Sequence, residues 1–368
     1  MNVNRRKAAA LIAAGAVVAM PYVRRARAEE AVLNLYNWVD YIGETTIEDF
    51  QSATGISVSY DTYSSSEEAQ AKMLAGSTGY DVVVTGGVLL PNGIKAGIYQ
   101  PLHKARLIGL ENLDPAVLRI FHSWDPGSRF GLPYMWGSVG IAYNVDMVRA
   151  QLPGANLDSL DVLLKPENAA KLAPCGISIL DSPKDVMLMV LHYLGRNADT
   201  ADTRDYEAVV EALKPVRQYI RTFDNVNYLN AIPNKELCYI NSWSGDYTTA
   251  KMRAKEAGVA INLEYHVPKT GAPAWVDALC IPAGAPHLDA AYRFLNYLLQ
   301  PEVIAKCTNV THYANGNLAS RTFVNPAILA NPAIYPDEMV MSRLWAPAPF
   351  SEEQDRALTR AWQAIKSG

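Results

Sequence analysis

Strands and helices alternate along the first third of the chain, and this alternation restricts the fold more than any other feature. Residues 32–36 and 56–60 each alternate apolar and polar side chains, as half-buried strands do. Residues 44–53, between them, have helical spacing. The short apolar run at 81–84 (DVVV) is typical of a buried parallel strand. This pattern predicts an α/β fold with largely parallel sheets.

The rest of the chain continues in the same style without repeating the sequence. We predict a helix that Ser65 or Ser66 caps and that ends at Leu74, because a serine hydroxyl accepts a free amide of the first turn. Further elements are predicted at 178–180 (strand), 184–194 (helix), 205–217 (helix, despite Pro215), 239–243 (strand) and 289–299 (helix).

The length of 368 residues favours two lobes, and no low-complexity linker separates them. We therefore expect the chain to cross between the lobes more than once, at 135–144 and 266–275. The predicted first lobe comprises residues 29–137 and 269–314. The predicted second lobe comprises residues 138–268 and 315–368.

The first 28 residues have the pattern of a secretory signal peptide. Basic residues 5–7 precede an apolar stretch at 8–20, and residues 26–28 (ARA) form a small-residue cleavage site. The stretch is short for a membrane anchor, and the Arg5–Arg6 pair leaves the twin-arginine route open beside general secretion. The protein is therefore expected in the periplasm.

Charge and motifs exclude several classes of function. The leader carries six of the 33 basic residues and no acid, so the remaining chain has 27 basic residues against 37 acidic ones. Such a chain has no electrostatic basis for binding nucleic acid. No cysteine or histidine spacing suits zinc, and the phosphate, dinucleotide and serine-hydrolase motifs are absent. We expect no metal and no cofactor.

Three aromatic–acid pairs stand at predicted strand ends or crossings, where open α/β sheets place their ligands. They are Trp38 with Asp40 and Tyr41, Trp243 with Asp246, and Trp275 with Asp277.

Such pairs suit a primary amine. Carboxylates accept hydrogen bonds from an ammonium group, and each well-placed ring adds about 0.5–2 kcal/mol of cation–π attraction. Acids at two separate ends would bind a diamine and repel the carboxylate of an amino acid. The same residues also suit a sugar site. Asp40 and Asp246 are compatible with the acid pair of a glycosidase. Each tryptophan is also compatible with an ordinary position in the hydrophobic core.

Several segments resemble the periplasmic polyamine-binding proteins, in the same order and over essentially the whole mature chain. The resemblance is greatest to their putrescine-binding branch. The segments are residues 35–42 (LYNWVDYI), 72–81 (KMLAGSTGYD), 133–136 (PYMW), 243–246 (WSGD), 274–277 (AWVD), 294–299 (FLNYLL) and 313–315 (YAN).

The resemblance implies a monomeric two-lobe solute-binding protein of type II, without enzymatic activity. It would close on putrescine or a related polyamine and deliver it to the permease of an ABC importer. It further implies a disulfide between Cys175 and Cys238. The implied ligand-binding positions are Trp38, Asp40, Tyr41, Gly86, Asp185, Trp243, Asp246, Trp275, Asp277 and Tyr313.

Departures from the family pattern bear on which polyamine is preferred. Gly86 replaces a serine, and Asp185 replaces a longer glutamate. Ser182 is uncharged where spermidine-preferring relatives have an acid, which argues against spermidine. Val276 replaces a phenylalanine and is expected to widen the slot, which argues for longer ligands. We therefore expect putrescine first, with spermidine, cadaverine and agmatine as alternatives.

Overall fold

The computed structural model describes residues 31–76 and 78–368, so the predicted leader lies outside the described residues. Its strands are β1 (Val32–Trp38), β2 (Ser57–Tyr63), β3 (Val82–Gly86), β4 (Gly131–Asn144), β5 (Ile177–Ile179), β6 (Ile220–Phe223), β7 (Tyr239–Trp243), β8 (Leu263–His266), β9 (Ala272–Cys280), β10 (Ala314–Asn315) and β11 (Leu344–Trp345).

Sixteen α-helices occur in the described ranges. They are α1 (Thr46–Thr54), α2 (Ser66–Leu74), α3 (Leu90–Lys95), α4 (Pro115–Phe121), α5 (Val145–Gln151), α6 (Asp161–Leu164), α7 (Pro166–Leu172), α8 (Pro183–Tyr193), α9 (Thr203–Leu213), α10 (Tyr228–Ala231), α11 (Ser244–Glu256), α12 (Leu288–Leu298), α13 (Pro301–Thr311), α14 (Pro326–Leu329), α15 (Glu338–Met341) and α16 (Glu352–Ser367). None of these helices is long and apolar enough to cross a membrane.

Local chemistry explains where several helices begin and end. The Ser65 hydroxyl accepts the amide of Glu68, so α2 starts at Ser66 and ends at Leu74 as predicted. Helix α9 ends at Leu213, short of the predicted residue 217. The reason is Pro215, which has no amide to donate and disfavours helical backbone in the residue before it.

The strands form one mixed sheet in the order β2-β1-β3-β9-β4-β7-β5-β6. The outer pairs are parallel, as predicted: β1 with β2 and β3, and β5 with β6 and β7. The two central strands, β9 and β4, run antiparallel to their neighbours in this order, whereas the short β11 pairs with β9 in parallel. The sheets are therefore more mixed than the sequence predicts.

Strand β4 joins the two ends of this sheet. Its first part, Gly131–Ser138, pairs with β9, and its second part, Val139–Tyr143, pairs with β7. All fourteen residues of β4 are buried. The strand thus passes from the neighbourhood of β1 and β3 to that of β5 and β7, at the place where the sequence predicts a crossing.

Separate apolar clusters fill the two halves of the sheet. One surrounds β5, α8 and the second part of β4, and two others surround β1 and β3. Helix α16 packs on α8 and α9, whereas Val324 and Ile328 pack in one cluster with Val83. The lobe boundaries stay a prediction, and this packing favours a boundary later than residue 314.

A disulfide joins Cys175 and Cys238, which confirms the predicted bond. It closes a loop with a sequence separation of 63 residues, and the other two cysteines are buried and free. Replacing both bonded cysteines by serine is expected to lower the free energy of unfolding by about 2–4 kcal/mol, because the unfolded chain gains loop entropy.

Guanidinium denaturation of the purified protein measures this loss. A reductant should destabilise the wild type to the same extent and leave the doubly substituted protein unaffected. Equal denaturation midpoints for the oxidised wild type and the double variant would contradict a stabilising role.

Candidate functional site

A cleft of about 760 Å³ opens beside the central strands. All ten positions predicted from the sequence line it: Trp38, Asp40, Tyr41, Gly86, Asp185, Trp243, Asp246, Trp275, Asp277 and Tyr313. The topology explains this convergence. β1 and β3 are parallel, as are β5 and β7, so the segments that follow their carboxyl ends meet at shared edges of the sheet.

Asp277 is the most buried acid of the cleft, with 7% of its surface exposed. It lies in β9 opposite Gly86 of β3. A Cβ atom on Gly86 would stand 3.9 Å from the nearer carboxylate oxygen, so the glycine leaves room beside the acid. Burial raises the pKa of Asp277 to about 7; the Tyr41 hydroxyl lowers it, and the charge of Asp185 raises it further.

Asp246 occupies the first turn of α11, directly after β7. Two phenols donate to its carboxylate: Tyr313 to Oδ1 and Tyr228 to Oδ2. Burial raises the pKa of Asp246 to about 6, against the lowering effect of both hydrogen bonds and of Arg253. These donors therefore favour the ionised form of Asp246.

Asp185 lies in the first turn of α8, facing β7. Its Oδ2 atom accepts hydrogen bonds from the Trp243 indole at 3.0 Å and from the Ser182 hydroxyl at 2.8 Å. Trp243 is therefore a donor that orients an acid, in addition to an aromatic wall. The shorter side chain of aspartate still reaches the cleft, because the indole and the serine hold it there.

Asp40 is the most exposed of the four predicted acids and stands where the chain leaves β1. Its backbone has φ 53°, in the left-handed region that few residues other than glycine adopt. This turn places Asp40 at the rim of the cleft and Tyr41 in its buried interior. The two neighbouring residues thus line the same cleft at different depths.

Aromatic rings form the walls between the acids. Tyr313 meets Trp275 edge to face, with ring centroids 5.1 Å apart, and Tyr41 at 5.6 Å. Trp38 packs against Tyr63 at 4.5 Å. Such faces suit methylene groups and cations.

Val276 does not have the role that the sequence analysis assigns to it. Successive residues of a strand point to opposite faces, and Trp275 and Asp277 both line the cleft. Val276 is fully buried in the apolar cluster on the other face, so it does not widen the slot.

Sequence reasoning also missed several residues at or near the site. Arg253, Lys184, Trp124 and Phe350 line the cleft, and Tyr228 supports Asp246. Arg253 is recognisable from the sequence in principle, since it lies two helical turns after Asp246 on α11. Tyr228 gives no such signal, because it belongs to a separate four-residue helix, 18 residues before its partner.

Gly245 fixes the position of the Tyr313 ring. A Cβ atom on Gly245 would stand 2.6 Å from two carbons of that ring, which is wedged against Trp275. Gly245→Ala is therefore expected to displace Tyr313 from Asp246 and weaken ligand binding about tenfold, as the loss of a hydrogen bond to a charged group does. Titration calorimetry measures this change.

Gly284→Ala is the matched control, because no atom lies within 4 Å of its added Cβ. It should leave the affinity unchanged. Equal affinities of the Gly245→Ala protein and the wild type would show that the Tyr313 contact is not needed for binding.

An α/β sheet with two apolar halves, a crossing strand and a ligand-sized cleft at the strand ends defines a type II periplasmic solute-binding protein. Residues 45–336 match the family model of bacterial extracellular solute-binding proteins, and the chain belongs to this family. The family consists of binding proteins, so the chain is not an enzyme. The predicted fold class and family are confirmed.

Known proteins resemble the chain over nearly its full length. It is 42% identical to the putrescine-binding periplasmic protein PotF of Escherichia coli, over 97% of each chain. It is 41% identical to the putrescine-binding periplasmic protein SpuD of Pseudomonas aeruginosa, over 98% of this chain and 97% of the relative. A solved structure of a Listeria monocytogenes protein, described as a putative spermidine/putrescine ABC transporter, superposes with a TM-score of 0.81 at 25% identity, covering 91% of this chain and 98% of that one.

Proposed function

We propose that the protein captures putrescine in this cleft in the periplasm and delivers it to an ABC importer. The ten residues described above form the binding site. One ammonium group lies at Asp277 and the other at Asp246, with Asp185 and Asp40 nearby and the rings of Trp38, Trp243, Trp275 and Tyr313 along the methylene chain.

The excess of acids in the cleft is the observation that carries this proposal. Six acidic side chains line it, against two basic ones: Asp40, Glu44, Asp181, Asp185, Asp246 and Asp277, against Lys184 and Arg253. Asp181 already binds Lys366 at 2.9 Å, and Lys184 binds Asp355 at 3.0 Å. The remaining charge is strongly negative, which favours a dication and repels the carboxylate of an amino acid.

The relatives support a short diamine over a triamine. The two relatives at 41–42% identity are described as putrescine-binding, and a Pseudomonas aeruginosa protein described as putrescine/agmatine-binding is 38% identical. Relatives described as spermidine/putrescine-binding are 30–31% identical. We therefore place putrescine first.

Titration calorimetry at about pH 8 tests the proposal with putrescine, cadaverine, agmatine and spermidine, and with lysine and glucose as controls. We expect one-to-one binding of putrescine near micromolar affinity, which needs only about −8 kcal/mol. Lysine and glucose should give no saturable heat. Binding of glucose without any amine would mean that the cleft serves a sugar.

One chain supplies all ten residues of the proposed site. We expect a monomer in solution with and without ligand, as light scattering after size exclusion measures. A stable dimer that disappears on adding putrescine would instead indicate that association regulates binding.

A further inference from the structure

Tyr228 touches the acid of the site from outside the cleft. Its side chain is 1% exposed, and it is absent from the residues that line the cleft. It stands at the start of α10, and its hydroxyl donates to Oδ2 of Asp246. Tyr313 lines the cleft and donates to the other oxygen, Oδ1.

The two phenols together determine the orientation of the carboxylate. Rotation about the last side-chain bond of an aspartate is broad, so one hydrogen bond alone leaves its plane loosely defined. With one donor on each oxygen, the plane is defined, and each oxygen keeps a lone pair for a further donor.

We propose that Tyr228 is a positioning residue that prepares Asp246 for the ammonium group of the ligand. This inference rests on the proposed function, because it assigns the role of a residue behind that same site. Tyr228 acts through Asp246 and does not itself contact the ligand.

Ionisation of Asp246 gives this role a distinctive signature. The groups around the carboxylate are Tyr228 from α10, Tyr313 from the segment before β10, Tyr265 from β8 and Arg253 on its own helix, while Asp224 lies near Tyr228. Tyr228, Tyr313 and Arg253 lower the pKa of Asp246, which burial raises to about 6. Loss of the Tyr228 donor raises that pKa further, so the variant must lose affinity at a higher pH than the wild type does.

Putrescine titrations of Tyr228→Phe from about pH 5.5 to about pH 8.5 test this prediction. We expect affinity about tenfold below the wild type near pH 7, with a smaller ratio at the highest pH, where Asp246 is ionised in both proteins. Tyr228→Met also lacks the donor and should shift the profile in the same direction. No loss of affinity at any pH would overturn the positioning role, and a loss that stays constant at every pH would contradict the effect of Tyr228 on the ionisation of Asp246.

Tyr239→Phe is the matched control. Tyr239 is fully buried in β7 of the same half, and its hydroxyl has no hydrogen-bond partner among the described residues. Its removal should change neither the affinity nor the pH profile, whereas a general effect of deleting a buried phenol would appear in both variants.

A double-mutant cycle with Asp246→Asn separates action through Asp246 from any other effect. If Tyr228 acts through the carboxylate, Tyr228→Phe should have little effect in the Asp246→Asn background. Additive losses would overturn the inference and leave the proposed function standing. A wild type that does not bind putrescine at any pH would overturn both.

Discussion

Asp277→Asn is expected to weaken putrescine binding about a hundredfold at about pH 8. Asp277 is the most buried of the four predicted acids. Without it, the ammonium group of putrescine at this end of the cleft would have no buried carboxylate partner. Removing one partner of a buried, hydrogen-bonded charge pair costs about 2–5 kcal/mol, a loss of about thirtyfold to several thousandfold in affinity, and the expected hundredfold lies within this range. Titration calorimetry measures the affinity directly.

Asp146→Asn is the matched control, since Asp146 is exposed in the first turn of α5, away from the cleft. It removes the same charge from the protein and should leave the affinity unchanged. If Asp277→Asn binds as tightly as this control, Asp277 is not the ammonium partner.

The same substitution should stabilise the ligand-free protein. The pKa of Asp277 is about 7 in the folded chain against an ordinary value of 3.8. Stability from such a raised pKa is present in acid and lost as the pH rises through about 7, by at most about 4 kcal/mol. Asparagine carries no charge, so the Asp277→Asn variant should melt several degrees above the wild type at about pH 8. A lower melting temperature would indicate damaged packing.

Putrescine affinity is expected to fall by on the order of a thousandfold from about pH 8 to about pH 5, if Asp277 and Asp246 must both be ionised in the complex. Their pKa values in the ligand-free cleft are about 7 and about 6. Both acids must lose their protons before the dication binds, so affinity falls as the pH falls and binding releases protons. Titrations in buffers with different ionisation enthalpies count those protons.

Asp277→Asn provides the control for this profile. The variant should no longer lose affinity as the pH falls through about 7, where Asp277 takes up its proton. It should still lose affinity near pH 6, where Asp246 is protonated. An affinity that does not change between about pH 8 and about pH 5 would contradict ionised carboxylates as the basis of recognition.

Local signals explain why much of the fold is predictable from the sequence. Ser65 marks the start of α2, and the run at 82–84 marks a strand, because capping and full burial depend on a few adjacent residues. Pro215 is a local signal too, and extending α9 past it was wrong. The antiparallel central strands are less visible, since pairing of β4 with β9 depends on residues far apart in the chain.

The candidate site, too, has some residues that the sequence predicts and others that only the folded chain reveals. All ten positions that the family motifs predict line one cleft. Tyr228 is invisible in the sequence, because only tertiary packing brings α10 beside Asp246. The prediction that Val276 widens the slot came from the family pattern, in which a phenylalanine lies along the ligand; strand alternation instead turns Val276 into the core.

A crystal structure of the protein saturated with putrescine at about pH 8 tests the central claim most directly. One putrescine should lie in the cleft, with one ammonium group hydrogen-bonded to Asp277, the other to Asp246, and its methylene chain between the rings of Trp275 and Tyr313. Putrescine bound elsewhere, or bound in the cleft with no ammonium group on Asp277 or Asp246, would contradict it.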